Sequence, residues 1–282
     1  MSSVLITGCS SGFGRAMVDE FLRRGWHVIG TMRNAQQRRE ILTESLEKYS
    51  DRLTILSLEI TESSQRDAVV EAVRQRGRLD CLVNNAGYRF YGALEDLSEE
   101  QIRRQFEVNF FGAVFLTRAL LPLIREAQGT LIFISSTFGF TGFPLTSAHC
   151  ASKYALEGLA ESLYYELESH GVRVALVEPG ASKTTNNGKN MSWGEGNAET
   201  YRIQTENYRR LNQRVISTAQ DNTHLVAKRV ADIAEGSDRQ LRRRVGWDAH
   251  FTHIYQQILP DRLRLPLSKM IYRRLFMGRQ SR

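Results

Sequence analysis

Short apolar runs alternate with helical stripes along this 282-residue chain. Val4-Leu5-Ile6, His27–Thr31, Leu53–Leu58, Cys81-Leu82-Val83, Leu131–Ile134 and Val172–Val177 are too short for buried helices and read as strands. After the first run, Ala16, Met17, Phe21 and Leu22 recur at helical spacing; after the fifth, Leu156, Leu159, Leu163 and Leu167 do so. A helix from about Ser64 to Arg76 separates the third run from the fourth. Ser98 with Gln101 three residues on has the form of a capping box. It opens a long helix whose predicted buried stripe is Ile102, Phe106, Phe110, Val114, Leu120 and Leu121. Helical segments follow from about Glu199 to Gly236, and Leu241–Val245 is a last edge strand despite three arginines. This alternation predicts an α/β fold, doubly wound around a mostly parallel seven-stranded sheet, with helices on both faces and ligand sites at the strands' carboxyl ends.

No repeat, linker or low-complexity tract divides the chain, so one domain is expected over 1–282. Within it, 185–220 is expected to be a substrate lid, since Thr185–Ala198 is rich in Asn, Gly and Lys. Residues 260–282 form a basic amphipathic C-terminal extension. Leu267, Met270, Ile271 and Leu275 share one face and Lys269, Arg273 and Arg274 the other. That face packs on the domain or a sister subunit, or makes weak contact with a membrane surface. Charge sharpens the picture there: from Arg242 to Arg282 ten Lys/Arg stand against two Asp/Glu, which accounts for the whole net charge of +7. A basic tail can address nucleic acid or anionic lipid, but a solvated surface is the plainer reading, and no nucleic-acid partner is expected. Hydrophobic content of 41% and charged content of 24% fit a soluble globular protein. No apolar run approaches the ~18–20 residues of a membrane span. Strand-like sequence from Val4 leaves no room for a signal peptide. Cys9, Cys81 and Cys150 match no zinc spacing or disulfide framework, and a cytoplasmic location is expected.

Three stretches carry chemistry. The turn Thr7-Gly8-Cys9-Ser10-Ser11-Gly12-Phe13-Gly14 joins the first strand to the first helix. Its glycines let the backbone approach phosphates, and the helix amino terminus offers N–H groups and a positive dipole end, which makes a pyrophosphate site. At the end of the second strand no acid is present to meet a ribose 2′-hydroxyl, whereas Arg33 suits a 2′-phosphate, with Arg38 the second candidate. NADPH rather than NADH is the expected cofactor. Asn84-Asn85-Ala86-Gly87 ends the fourth strand with two amides able to tie neighbouring strand ends. Ser136 ends the fifth; His149 and Lys153 lie four apart, on one helical face. A hydroxyl, an imidazole and an ammonium gathered there form a proton-handling site.

These stretches resemble the short-chain dehydrogenase/reductase family, a Rossmann-like group, and especially its branch acting on steroids, retinoids and other lipophilic carbonyls. The resemblance rests on TGxxxGxG at Thr7–Gly14, NNAG at Asn84–Gly87, a Ser-Tyr-Lys set with tyrosine replaced by His149, and Glu178-Pro179-Gly180. It implies catalytic roles for Ser136, His149 and Lys153, and for Asn109, which in the family supports a water bridging to the lysine. It also implies cofactor contacts from Thr7, Gly8, Ser10, Ser11, Gly12, Phe13, Gly14, Arg33, Glu59, Ile60, Asn85, Ala86, Gly87, Lys153, Pro179, Gly180 and Thr184. Glu59 stands where the family has Asp against the adenine. Homodimers or homotetramers through the two long helices, and a largely apolar small-molecule substrate, are implied as well. Met191 and Trp193 are candidates to line its pocket.

The histidine changes the chemistry. In the family, a tyrosine tuned by lysine gives its proton to a carbonyl oxygen as hydride reaches carbon. Free imidazole has a pKa near ~6.5, and an adjacent ammonium and burial both push it lower. His149 is therefore expected to be neutral at neutral pH and a poor acid. Three readings are open: hydride transfer from NADPH to a carbonyl, imine or iminium carbon; non-redox cyclisation, isomerisation or elimination; and a non-catalytic dinucleotide-binding module. Tyr154 points about 100° away around the helix, so Tyr88 and Tyr91 are the reserve donors.

Overall fold

Alternating burial along the strands builds two cores on one sheet. In the computed structural model, which describes residues 1–183, 191–196 and 199–277, β1 is Ser3–Thr7 and all five of its residues are buried. Val4 and Ile6 face one core and Leu5 the other. The glycine-rich turn leads to α1 (Gly12–Arg23), then β2 (His27–Met32). Two short helical turns, Ala35–Arg38 and Thr43–Lys48, precede β3 (Leu53–Ser57). There follow α2 (Ser63–Arg76), β4 (Cys81–Asn84), the short β5 (Arg89–Tyr91), α3 (Glu99–Glu126) and β6 (Thr130–Ile134). Next come α4 (Ser147–Glu166), β7 (Arg173–Pro179), β8 (Met191–Trp193), α5 (Arg202–Thr218) and α6 (Thr223–Ala234). Last are β9 (Arg242–Val245), α7 (Trp247–Ile258) and α8 (Asp261–Tyr272), which runs into a π-helical turn, Arg273–Met277.

The sheet has seven strands in the order β3-β2-β1-β4-β6-β7-β9, and every pairing is parallel. Helices α1 and α6 cover one face through Met17, Phe21, Val226 and Val230. Helices α2, α3 and α4 cover the other through Val73, Leu116, Leu120 and Leu156. Burial on both faces is why the inner strands read as apolar runs. The strand order reverses between β1 and β4, which opens the crevice that holds the site.

The arginines of β9 have a structural cause. Arg242 and Arg244 project to one side, where Arg242 pairs with Glu157 at 3.0 Å and Glu161 at 2.7 Å, and Arg244 with the fully buried Glu178 at 3.1 Å. Arg243, out of phase by one residue, pairs with Asp238. Burial and the neighbouring Glu157 push the Glu178 carboxyl up to about 7.

Two expectations are corrected here. Of the stripe predicted for α3 only Leu120 is buried; the inward face is Gln101, Gln105, Val108, Asn109, Ala113, Leu116, Thr117, Leu120 and Ile124. A π-helical turn, Glu107–Phe111, adds a residue to the helix repeat and shifts the register, and polar groups on the inward face have backbone partners. By length and apolar content α3 could cross a membrane, contrary to the sequence reading, but its apolar face packs on the sheet.

The expected lid window contains β8 and α5. Strand β8 pairs in parallel with β5 as a separate two-stranded sheet. Behind that pair lies a third, aromatic cluster of Tyr91, Leu145, Trp193, Tyr208 and Phe276. Phe276 stacks on Tyr208 at 5.8 Å, and Asn207 donates a hydrogen bond to its carbonyl at 2.9 Å, which fastens the C-terminal extension to α5.

Candidate active site

One cavity of ≈ 510 Å³ runs along the carboxyl ends of the strands, from Arg33 to His149. At one end the backbone makes the site. Gly8 has φ +76°, and a Cβ there would come 3.0 Å from the Cα of Ala86. At Gly14 a Cβ would lie 2.2 Å from the Gly8 carbonyl oxygen. Only glycines allow α1 to start this close to β1 and β4. Asn85 fastens the arrangement: its Nδ2 donates to the carbonyls of Thr7 (2.7 Å) and Gly8 (3.2 Å). The Thr7 hydroxyl accepts from the N–H groups of Asn85 and Ala86, both at 2.9 Å. Thr7 and Gly14 therefore brace the turn, while Gly8, Ser10, Ser11, Gly12 and Phe13 line the cavity. The first turn of α1 carries no acidic residue to oppose a phosphate. Asn84 donates to Thr117 at 2.9 Å, so the two asparagines tie different neighbours.

Arg33 lines the same end, as do Glu59, Ile60, Ala86, Gly87, Pro179 and Gly180. Arg38 does not line it, and Thr184 lies outside the described residues. Arg104, not singled out from sequence, does line it and pairs with Glu59 at 3.2 Å, while Arg33 sits 3.9 Å from the same carboxylate. Glycine turn, helix amino terminus, bracing amide and a cation beyond β2 together fit a dinucleotide phosphate.

At the other end side chains make the site. Ser136 caps a short turn by accepting from the Phe138 N–H at 3.3 Å. From α4, His149 and Lys153 reach the cavity, both nearly fully buried. Lys153 donates to the Ile134 carbonyl at 2.7 Å; burial and then Arg89 lower its ammonium to about 8. Burial, Arg89 and Lys153, in that order, hold His149 well below the usual imidazole range.

Asn109, within the π turn, decides how that imidazole presents itself. Its Oδ1 accepts from the Tyr88 N–H at 3.0 Å and its Nδ2 donates to the Tyr88 carbonyl at 3.0 Å, which orients the amide. The same Nδ2 lies 3.4 Å from His149 Nδ1. The amide's two hydrogens face three acceptors, the Tyr88 carbonyl, Ser152 Oγ at 3.2 Å and His149 Nδ1, and the imidazole also bonds to the Tyr88 backbone, so Asn109 and Tyr88 together hold the Nδ1 side of the ring. Nε2 is buried and has no partner among the described residues. Nε2 is thus the ring atom left for a ligand in the cavity that His149 lines.

The tyrosines do not replace the missing phenol. Tyr88 lines the cavity, but its hydroxyl is buried near Arg104, and burial pushes it up to about 12. Tyr91 is fully buried in the aromatic cluster, and Tyr154 is 47% exposed. Trp193 stacks on Tyr91 at 5.1 Å and is not a lining residue; the Met191 side chain lies outside the description.

Gln105 and Arg89 also escaped the sequence reading. Gln105 Nε2 donates to the Tyr88 carbonyl at 2.7 Å and its Oε1 accepts from the Phe90 N–H at 2.8 Å. Gln101 reaches the Trp193 carbonyl at 3.4 Å. The spacing Gln101, Gln105, Asn109 was a visible signal: three uncharged polar side chains in line on one face of the helix.

Fold and site together define a dinucleotide-binding α/β protein with a polar site at its switch point. The short chain dehydrogenase family model matches residues 2–195, well over half of the chain. This chain belongs to that family, whose members bind nicotinamide dinucleotides. It is 41% identical over 185 residues to an uncharacterized oxidoreductase, YusZ, of Bacillus subtilis, covering 64% of this chain and 65% of that one. It is 36% identical over 208 residues to the NADPH-dependent 3-dehydrocapnine reductase of Ornithobacterium rhinotracheale, covering 71% and 72%. With mouse retinol dehydrogenase 7 it shares 30% identity over 274 residues, 91% of this chain and 84% of the other. A solved short-chain dehydrogenase from Streptomyces avermitilis superposes with a TM-score of 0.80 at 34% identity, covering 95% of each chain.

Proposed function

We propose that this protein is an NADPH-dependent oxidoreductase that reduces a carbonyl or neutral imine carbon of a largely apolar small molecule. The observation that carries this reading is one cavity joining the phosphate turn and Arg33 to Ser136, Lys153 and an unpartnered His149 Nε2. The NADPH dependence of the 3-dehydrocapnine reductase supports the cofactor, and retinol dehydrogenase 7 supports a lipophilic substrate.

Bound NADPH supplies hydride to the substrate carbon. The chain's part is to hold the oxygen and provide its proton. Ser136 is one donor for that oxygen, and His149, with its proton on Nε2, is a second. A neutral imidazole N–H is far too weak an acid to complete the transfer, so His149 orients the substrate. Of the described groups at this end, Lys153 alone holds a proton it can release near neutrality. Arg89 and Lys153 also disfavour a cationic acceptor by like-charge repulsion, which sets iminium substrates aside in favour of neutral ones. The test is NADPH consumption by the purified protein and by His149→Tyr on matched lipophilic ketones and imines. Slow ketone reduction that rises in His149→Tyr supports the reading; NADPH binding with no consumption on any acceptor removes it.

A homodimer or homotetramer through α3 and α4 belongs to the same proposal. Phe111, Phe115, Tyr164 and Tyr165 are exposed apolar residues on these helices and support it. Exposed Trp247, Phe251, Ile258 and Met270 on α7 and α8, with basic residues around them, support weak contact with a membrane surface.

A further inference from the structure

We infer that Arg89 is the anion-binding corner of the substrate pocket, and that the substrate carries an oxyanion group (carboxylate, sulfonate or phosphate) close to its reacting carbon. The inference rests on the oxidoreductase reading for the words "reacting carbon"; the anion site itself does not.

Four observations place Arg89 there. It lines the cavity together with Ser136, His149 and Lys153. Its guanidinium lies 4.8 Å from the ring centroid of Phe138, and that ring meets His149 edge-on at 5.8 Å. It is the largest charged influence on His149, ahead of Lys153, so it stands beside the reacting groups. Its backbone is held from both sides, because Asn109 and Gln105 bind Tyr88 and Gln105 binds Phe90. A guanidinium on a tethered strand is preorganised for a ligand in a way a loop arginine is not.

Among the described residues no carboxylate answers its charge. Arg89 Nη1 donates to the Tyr91 hydroxyl at 2.8 Å, a neutral partner, and Nε is buried with no partner among the described residues. No ion pair to it exists among the described residues, whereas Arg33 and Arg104 at the far end share Glu59. Two rings, Phe138 and Tyr91 at 5.4 Å, support the cation from its faces. They leave the in-plane N–H fork, the part that recognises an oxyanion. A half-buried cation in an aromatic setting, with donors unspent, is stabilised by an anion brought from outside. The aromatic side chains nearby would take the substrate's apolar body.

The experiment uses the full chain and its Arg89→Leu and Arg89→Lys forms. Acceptors are a long-chain α-keto acid and its methyl ester, with NADPH consumption as readout. Independently, calorimetry measures binding of dodecanoate and of methyl dodecanoate, neither of which can be reduced in this way, to the NADPH-loaded protein. The expected result is a loss of about tenfold or more in kcat/KM for the acid relative to the ester in Arg89→Leu, carried by KM, with Arg89→Lys recovering part. Dodecanoate affinity should fall by a similar factor and methyl dodecanoate affinity should not. Equal losses for acid and ester, or a parent protein that binds dodecanoate no better in low salt than in high, overturn the inference. Should Arg89→Leu fail to fold, the Lys form and the salt series decide alone. Arg89-dependent dodecanoate binding without any NADPH consumption sustains the inference and removes the oxidoreductase reading. Reduction of ester and acid alike, indifferent to Arg89, does the reverse.

Discussion

The two ends of the cavity are built on different principles. At the dinucleotide end, backbone makes the site and positive charge is partly answered within the protein: Arg33 and Arg104 share the single carboxylate of Glu59. At the reacting end, side chains from β5, β6, α3 and α4 converge, and neither Arg89 nor Lys153 forms an ion pair among the described residues, the nearest carboxylate influence on Lys153 being Glu157. On the proposed reading, the cofactor is met by the geometry of the turn itself and the substrate by an excess of positive charge that it completes. Burial first, and that excess of positive charge after it, hold His149 well below the usual imidazole range.

The largest effect that would sharpen this contrast is expected from His149→Tyr. A phenol beside Lys153 should restore proton donation and raise ketone reduction by about a hundredfold or more, measured as kcat with saturating NADPH. An unchanged rate would show that the reacting end differs from its relatives in more than one group. At the opposite end, Arg33→Leu should weaken NADPH by about tenfold or more while leaving NADH untouched, read by titration of each dinucleotide. A matching loss for NADH would break the assignment of Arg33 to the 2′-phosphate. Gln105→Leu tests whether the substrate end is held from α3. It leaves the Tyr88 carbonyl and Phe90 N–H short of partners, so a loss of about 1–3 kcal/mol in denaturant melts is expected, with dinucleotide affinity nearly unchanged. The smallest expected effect is in pH. Lys153 has its ammonium lowered to about 8, so the group is charged below that pH and neutral above it. Turnover should therefore decline as pH rises through about 8, and Lys153→Arg, whose guanidinium keeps its proton throughout, should lose both turnover and that limb, as a pH–rate profile would show.

Much of the molecule was legible beforehand because the relevant signals are local. The capping box at Ser98 and Gln101 forms as expected, with both of its hydrogen bonds at 3.1 Å. The neutral state expected of His149 agrees with the direction imposed by its surroundings. The stripe of α3 was misread because a π turn is a register change with no sequence signature of its own, and because Gln105 and Asn109 point inward to backbone partners no pattern names. Strands β5 and β8 were missed because three residues carry too little periodicity to register. The arginines of β9 break the apolar pattern of an edge strand because Glu157 and Glu178 stand opposite them, which no local signal shows.

What the sequence by itself determined is the family, the sheet, the phosphate turn, and the Ser136-His149-Lys153 set with its missing phenol. These are contiguous or helically spaced features whose meaning lies in backbone conformation over a few residues. Only the tertiary structure decided that Asn109 orients His149, that Arg104 joins Arg33 at Glu59, and that Arg89 stands unanswered beside the reacting groups. Those facts depend on which side chains from distant segments share a small volume of low polarity. There burial and neighbouring charge, rather than residue type, set what each group can do.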